Sequence, residues 1–194
     1  MNKDGASIQD FFIYLVGPNG EMMKKRGKII IVSLLVLLLI FVLPGLFVKK
    51  IRFSTSTGIK KPLSSVFITF GDPARLSQWM SGFEKIDHLQ GMPFCEGSKY
   101  RLTLNIDGRR FTVVEEIIKI TWKKHLIVDM TSEKADILMD LYFFRLGEQT
   151  MIEGTYEVKA NNLSTRILLP WIKPLIRKKI GEELEQFREM MEKS

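Results

Sequence analysis

The sequence predicts an α+β fold in which a curved antiparallel sheet wraps around one long C-terminal helix, preceded by a single transmembrane helix. Three patterns predict it. Residues 29–48 are uncharged and almost entirely apolar, residues 83–160 alternate apolar and polar side chains, and residues 163–192 repeat apolar side chains in steps of three and four. These patterns are typical of a transmembrane helix, of half-buried strands and of an amphipathic helix, respectively.

The charge distribution points to a membrane rather than to a nucleic acid. The chain has 194 residues, an apolar fraction of 45% and a formal net charge of +7. Seven basic and three acidic residues, a net +4, fall in residues 1–50, on both sides of the apolar run. Basic residues placed in this way are typical of membrane anchors. Because no basic stripe is interleaved with aromatic residues, we expect no nucleic-acid partner.

Residues that bind metals or form disulfides are scarce. Cys95 is the single cysteine, which excludes an intrachain disulfide and a multi-cysteine metal site. The two histidines, His88 and His125, stand on separate predicted strands without a carboxylate or nucleophile at a suggestive spacing. We therefore expect neither a metal site nor a cofactor.

The first 48 residues divide into an N-terminal tail, residues 1–28, and a transmembrane helix, residues 29–48. Residues 11–16 are apolar but too short to span a bilayer, so they form either a small surface helix or a loosely packed tail. Twenty helical residues extend about 30 Å, the thickness of the hydrocarbon layer. A cleavable signal peptide would have a shorter apolar core followed by small residues, whereas this run ends in Leu46-Phe47-Val48 and lysines.

We therefore expect an uncleaved single-pass membrane protein. The side of the membrane that carries the folded domain, cytoplasmic or opposite, is not determined. Four basic residues lie close before the span and five lie within the window after it, so the positive-inside rule does not decide.

Residues 51–194 form the predicted folded domain. Residues 51–58 read as a first strand, Pro62 suits the first turn of a helix that reaches Phe70, and residues 74–80 form another short helical turn. The alternating segments then predict an antiparallel meander, with Asp107-Gly108 as a tight hairpin turn. Its strands are predicted at residues 83–89, 100–107, 109–121, 125–131, 137–144 and 151–160.

The last segment is the only long amphipathic element that can cover the apolar face of this meander, so the sheet is expected to curl around it. Pro170 and Pro174 lie in its first turns, and we expect the helix body from Trp171 onward. Its opposite face is charged. The apolar stripe consists of Leu168, Leu169, Ile172, Leu175, Ile176, Ile180, Leu184, Phe187 and Met191.

Several short motifs in this order carry a family resemblance. They are Val66-Phe67, Gly71-Asp72-Pro73 with Leu76 and Trp79 after it, Gly97-Ser98-Lys99-Tyr100, Asp107-Gly108-Arg109 and Glu115-Glu116-Ile117. The chain from about residue 51 to residue 193 resembles the START-like and polyketide-cyclase-like (SRPBCC, helix-grip) superfamily. The membrane anchor in front departs from the usual soluble members.

The resemblance implies a cavity between the sheet and the long helix, which superfamily members use for lipids, sterols, polyketides and other apolar molecules. The alternative is that the same side chains fill a solid core. The candidate lining residues are Tyr100, Leu102, Leu104, Leu126, Val128, Met130, Met139, Leu141, Ile152 and Tyr156 from the sheet, with Leu168, Ile172, Leu175 and Ile176 from the helix.

Glu115 and Glu116 are the candidate catalytic residues. Neighbours on a strand point to opposite faces, so one of the two should point inward unless a bulge intervenes, and burial would raise its pKa into a range suited to general acid or base catalysis. The alternative is a strand edge at which both carboxylates are solvated.

Three functions fit the sequence. The first is membrane-anchored binding of a lipid or another hydrophobic small molecule, which needs an anchor and a cavity. The second is a cyclase or dehydratase that uses Glu115 or Glu116. The third is a non-catalytic, membrane-tethered module whose basic patch touches anionic lipid or a partner protein. This basic patch consists of Arg166, Lys173, Arg177, Lys178 and Lys179.

Overall fold

A computed structural model of the chain describes residues 19–193, with side chains from residue 27 onward. The described residues fall into two units, divided between Pro44 and Gly45. The prediction for residues 11–16 lies outside the described part.

Helix α1 spans Asn19–Phe47 and contains the predicted apolar run. Its stretch Gly27–Phe47, 21 residues, is long and apolar enough to cross a membrane. A signal sequence near an N-terminus can pass the same test of length and apolar composition.

The second unit contains one seven-stranded sheet, as far as the described residues go. Neighbouring strands are antiparallel throughout, in the spatial order β1-β7-β6-β5-β4-β3-β2. The order follows the chain from β2 to β7, and β1 closes the far edge beside β7, so the predicted meander is confirmed. The strands are β1 Lys50–Ile59, β2 Phe83–Gln90, β3 Lys99–Ile106, β4 Arg109–Thr121, β5 His125–Thr131, β6 Ala135–Leu146 and β7 Gln149–Ala160.

The predicted turn between β3 and β4 is confirmed in detail. Ile106 pairs directly with Arg109, leaving Asp107 and Gly108 as a two-residue loop. Both loop residues have positive φ, 52° and 77°. This is the conformation of a type I′ turn, which Asp and Gly tolerate better than other residues.

Two short helices lie between β1 and β2. Helix α2 spans Leu63–Phe70, and a 3-10 helix spans Pro73–Gln78 with Asp72 accepting a hydrogen bond from the Ala74 N–H at 3.0 Å. Phe70 stacks on Trp79 with ring centroids 5.3 Å apart, and both rings meet Phe187 edge-on. This aromatic cluster joins the short helices to the C-terminal helix.

Helix α3 spans Leu163–Lys193 and buries Leu169, Leu184, Phe187 and Met191. The prediction that its body begins at Trp171 is wrong, because the helix already begins at Leu163. Asn162 accounts for the early start, since its side-chain oxygen accepts a hydrogen bond from the Thr165 N–H at 2.9 Å and caps the first turn. Pro170 and Pro174 therefore lie inside the helix.

The apolar face of the sheet and α3 enclose the core. Its most deeply buried side chains include Leu102 on β3, Leu141 on β6, Ile152 on β7 and Phe187 on α3. The curved antiparallel sheet around a long C-terminal helix is thus the fold that the sequence predicted.

Candidate functional site

A cavity of about 230 Å³ lies between the sheet and the second half of α3. Small-molecule pockets usually measure about 300–1,000 Å³, so this one suits a small ligand. Most of its walls are apolar. Its lining consists of Phe70, Gly71, Pro73, Leu76, Trp79, Met80, Ile86, Phe94, Tyr100, Leu102, Leu104, Val113, Glu115, Ile117, Leu126, Val128, Met130, Ser132, Ala135, Ile137, Met139, Tyr156, Ile180, Glu183 and Leu184.

The sheet wall of the cavity follows directly from strand alternation. Every second residue of β3, β4 and β5 faces the same side, which places three side chains from each strand in the lining. The aligned sets are Tyr100, Leu102 and Leu104, then Val113, Glu115 and Ile117, then Leu126, Val128 and Met130. Eight of the ten sheet residues predicted to line a cavity do so. Leu141 and Ile152 are instead fully buried in the core.

The helix wall differs from the prediction. Leu168 and Leu175 are exposed, Ile172 and Ile176 are half-buried, and none of the four lines the cavity. The lining comes from Ile180, Glu183 and Leu184 farther along α3. A helix of 31 residues is about 46 Å long, so a small cavity meets only a few of its turns, and the apolar stripe does not indicate which ones.

Glu115 points into the cavity from the middle of the sheet. On β4 it lies opposite Tyr100 of β3 and Met130 of β5, both of which also line the cavity. Burial raises the pKa of Glu115 to about 7. The side chain can therefore exchange a proton near neutral pH.

Glu116 points to the other face of the sheet. Its carboxylate forms an ion pair with Lys99 at 3.0 Å, and both side chains are about one-third exposed. Strand alternation thus separates the two candidates, and only Glu115 reaches the cavity.

Glu183 is a second cavity carboxylate, and it is not among the residues predicted from the sequence. Burial raises its pKa to about 7, although Lys179, one turn earlier, acts in the opposite direction. A signal was present in the sequence, because Ile180, Glu183, Leu184 and Phe187 are spaced by three and four residues. A carboxylate inside an apolar stripe is therefore directed toward the core.

Tyr156 brings a phenol into the same space. Burial raises its pKa to about 12, and the nearby Glu183 carboxylate adds to this effect. Gly154, two residues earlier on β7, leaves the room that the phenol occupies, because a Cβ there would lie 2.7 Å from the Tyr156 hydroxyl. The Tyr156 hydroxyl thus remains protonated at neutral pH.

The segment between β2 and β3 contributes Phe94 to the lining. Its backbone N–H donates a hydrogen bond to the Tyr100 hydroxyl at 2.9 Å, and its φ of 55° is unusual for a bulky residue. The Phe94 ring also lies where a side chain at Gly71 would have to sit. One hydrogen bond and one glycine therefore position this part of the cavity wall.

The histidines lie outside the cavity lining. His125 contacts Asp140 through Nε2 and Oδ1 at 2.6 Å and stacks on Tyr142 with ring centroids 4.2 Å apart. His88 packs near Tyr100. Cys95 is half-buried. Within residues 27–193, the side chains form no group of three or more His, Cys, Asp or Glu residues suited to a metal ion.

The basic patch on α3 is largely on the surface. Lys173, Arg177, Lys178 and Lys179 are exposed, and Arg166 is half-buried. Lys178 also lies 3.7 Å from Glu182. Contact of the basic patch with anionic lipid or a partner stays a prediction.

Solved structures with low sequence identity share this architecture. The crystal structure of Ara h 8.0201 is 12% identical, with a TM-score of 0.59 over 75% of this chain and 99% of that chain. Ginseng major latex-like protein 151 from Panax ginseng is 15% identical, with a TM-score of 0.60 over 74% and 99% of the two chains. The Zhui aromatase/cyclase from Streptomyces sp. R1128 is 12% identical, with a TM-score of 0.61 over 74% and 94%.

These likenesses show the fold, and the resemblance found in the sequence is confirmed at that level. The chain has the START-like, helix-grip fold. No protein-family model and no curated protein matches the sequence.

Proposed function

We propose that the protein binds an apolar small molecule or lipid in the cavity between the sheet and α3, while α1 holds it in a membrane. The observation that carries this proposal is the 230 Å³ space with mostly apolar walls inside the folded domain. An engineered cavity of about 150 Å³ suffices to bind benzene, so this one has room for a somewhat larger molecule.

The sequence next to α1 supports the membrane part of the proposal. Only Val48 and Lys49 separate α1 from β1. A tether this short keeps a binding domain within a few nanometres of the bilayer, where apolar molecules are concentrated. Exposed basic residues on α3, such as Lys173 and Arg177, suit a surface next to anionic lipid.

A matched pair of variants tests the proposal. Val113 lines the cavity, whereas Val114 follows it on β4 and is outside the lining. V113F should fill the cavity, and V114F adds the same volume on the other face. The full chain is extracted with its native lipids in polymer nanodiscs, without detergent, and the retained small molecules are identified by mass spectrometry.

The expected result is an apolar molecule enriched with the wild type and with V114F, and lost from V113F. An identical set of molecules in all three preparations would contradict binding in this cavity. Circular dichroism of each preparation shows whether a loss reflects unfolding instead.

A second candidate is a cyclase or dehydratase, and the position of Glu115 favours it. Glu115 and Glu183 both face the cavity, and burial raises the pKa of each to about 7. In dehydration of a β-hydroxyketone, one carboxylate would take the α-proton and the other, protonated, would give its proton to the departing hydroxyl as water. The products are an enone and water.

This candidate is tested with a short aromatic β-hydroxyketone and the full chain in nanodiscs. Loss of water, followed by mass spectrometry, should be faster with the wild type than with E115Q or E183Q. Equal rates in all three, or no rate above that of empty nanodiscs, would rule out this reaction for this substrate class.

A further inference from the structure

The charges in the cavity are unbalanced. Glu115 and Glu183 face it, while no lysine, arginine or histidine is among the residues that the described part of the chain contributes to the lining. An ionised carboxylate is costly to bury unless an opposite charge accompanies it. An apolar ligand alone would leave this cost in place.

The two carboxylates differ in their surroundings. Lys179 lies one turn before Glu183 on α3 and partly offsets its charge. Glu115 sits in the sheet between Tyr100 and Met130. Burial is the one cause of its raised pKa, and no nearby positive charge acts against it. Glu115 is thus the cavity group that gains most from a positive charge.

We propose that the ligand is an apolar molecule bearing a protonated amine, and that its ammonium group pairs with Glu115. This inference rests on the proposed binding function and adds the chemical class of the ligand. Burial of the two charges as a pair offsets part of the desolvation penalty that each would suffer alone. The phenols of Tyr100 and Tyr156 add neutral polar groups to the same space. Glu183 adds a second carboxylate to the lining, which disfavours anionic ligands.

Two probes of the same shape distinguish the effect of the ligand's positive charge from the effect of its apolar ring. 2-Naphthylmethylamine and 2-naphthylmethanol share a bicyclic ring and differ in the amine and the hydroxyl. Binding to the full chain in phosphatidylcholine nanodiscs is measured by equilibrium dialysis near neutral to mildly alkaline pH, with empty nanodiscs as the reference for partition into lipid. The wild type should bind the amine at least about tenfold more tightly than the alcohol, since charge-assisted contacts are about twice as strong as neutral ones.

Variants of adjacent glutamates provide the control. E115Q removes the cavity carboxylate, and E116Q removes the one paired with Lys99 on the opposite face. E115Q should lose the preference for the amine, so that the amine and the alcohol bind to it with similar affinity. E116Q should keep that preference.

The pH dependence provides a further readout. The amine must pair with an ionised Glu115, so its affinity should rise as pH increases from about 6 to about 8, while affinity for the alcohol stays level. The other titratable groups facing this space are Glu183, Tyr100 and Tyr156, with Lys179 beside Glu183. The pH effect should therefore persist in E183Q, which keeps Glu115, and should be much smaller in E115Q, in which Glu183 is the remaining cavity carboxylate.

The outcomes are distinct. If the alcohol binds and the amine binds no better, or if E115Q keeps the preference for the amine, the proposed class of ligand is wrong. The proposed binding of an apolar molecule in the cavity is then unaffected. If neither probe binds to the wild type, and a naphthyl carboxylic acid does not bind either, the binding function itself fails, and this inference fails with it. Preferential binding of the acid would also overturn the inference.

Discussion

At the scale of single residues, the two adjacent glutamates of β4 show how position determines chemistry. Glu115 and Glu116 have the same side chain, but strand alternation directs Glu115 into the cavity and Glu116 toward Lys99. The sequence predicted that one of the two would point inward. It could not predict which one, because that depends on which face of β4 is turned toward the cavity.

Glu115 should make the stability of the domain depend on pH. Burial raises its pKa from the usual 4.5 to about 7, so the folded state binds a proton that the unfolded state releases. Burial of Glu115 therefore lowers the free energy of unfolding by an amount that depends on pH. This loss is absent below pH 4.5, grows as pH rises toward 7 and then levels off at about 3 kcal/mol. E115Q should match the wild type at low pH and exceed its free energy of unfolding by about 3 kcal/mol in mildly alkaline solution.

Denaturant titration of the full chain in nanodiscs, followed by tryptophan fluorescence, measures this difference. E116Q is the matched control, and it should lose a little stability, since its carboxylate, about one-third exposed, pairs with Lys99. A gain in E115Q that is the same at every pH would mean that Glu115 does not titrate in this range.

Gly154 is expected to tolerate no side chain. A Cβ there would lie 2.7 Å from the ring of Tyr156 and 2.8 Å from Cδ2 of Leu141, and both side chains are buried. G154A should therefore lower the free energy of unfolding by about 1–3 kcal/mol, the usual cost of overpacking. The same titration measures it, and an unchanged midpoint would show that Tyr156 moves without cost.

At the scale of secondary-structure elements, the strands were easier to predict than the helix. Along each strand, alternate residues point to the apolar face of the sheet. The local sequence therefore determines both the length of a strand and which of its side chains point inward, as on β3 and β5. The part of α3 that meets the cavity depends on long-range packing. For this reason the apolar stripe predicts Leu168 and Leu175 in the lining, whereas the structure has Glu183 there.

Gly181 on α3 offers a contrast to Gly154. A Cβ at this helical position would meet nothing within 4 Å. G181A should raise the free energy of unfolding by about 0.5–1 kcal/mol, because alanine favours the helix over glycine. Loss of stability in the same titration would mean that α3 packs against a surface at this position.

At the scale of the whole molecule, α1 and the folded domain have different physical requirements. The 21 residues Gly27–Phe47 suit hydrocarbon, whereas the domain folds around its own core. The sequence predicted both, because a long uncharged run and a series of alternating segments are local patterns. It could not predict the volume of the cavity, which depends on how all the side chains pack together.

If α1 is an uncleaved anchor, the mature chain retains it and stays in the membrane fraction after alkaline extraction. Replacing Leu37 and Leu38 with arginine should release the chain or prevent insertion, because each arginine at the centre of a span costs about 2.5–3.5 kcal/mol. Intact-mass measurement of the mature protein provides the check. A mature chain that begins after residue 47 would identify α1 as a signal sequence.

Methyl NMR of methionines in the full chain, in nanodiscs, tests the central claim most directly. Met80, Met130 and Met139 line the cavity, whereas Met92 is exposed and Met151 lies outside the lining. On addition of 2-naphthylmethanol, the first three methyl signals should shift and saturate together, while those of Met92 and Met151 stay in place. Shifts confined to Met92 or Met151, or no saturable shift at all, would contradict ligand binding between the sheet and α3.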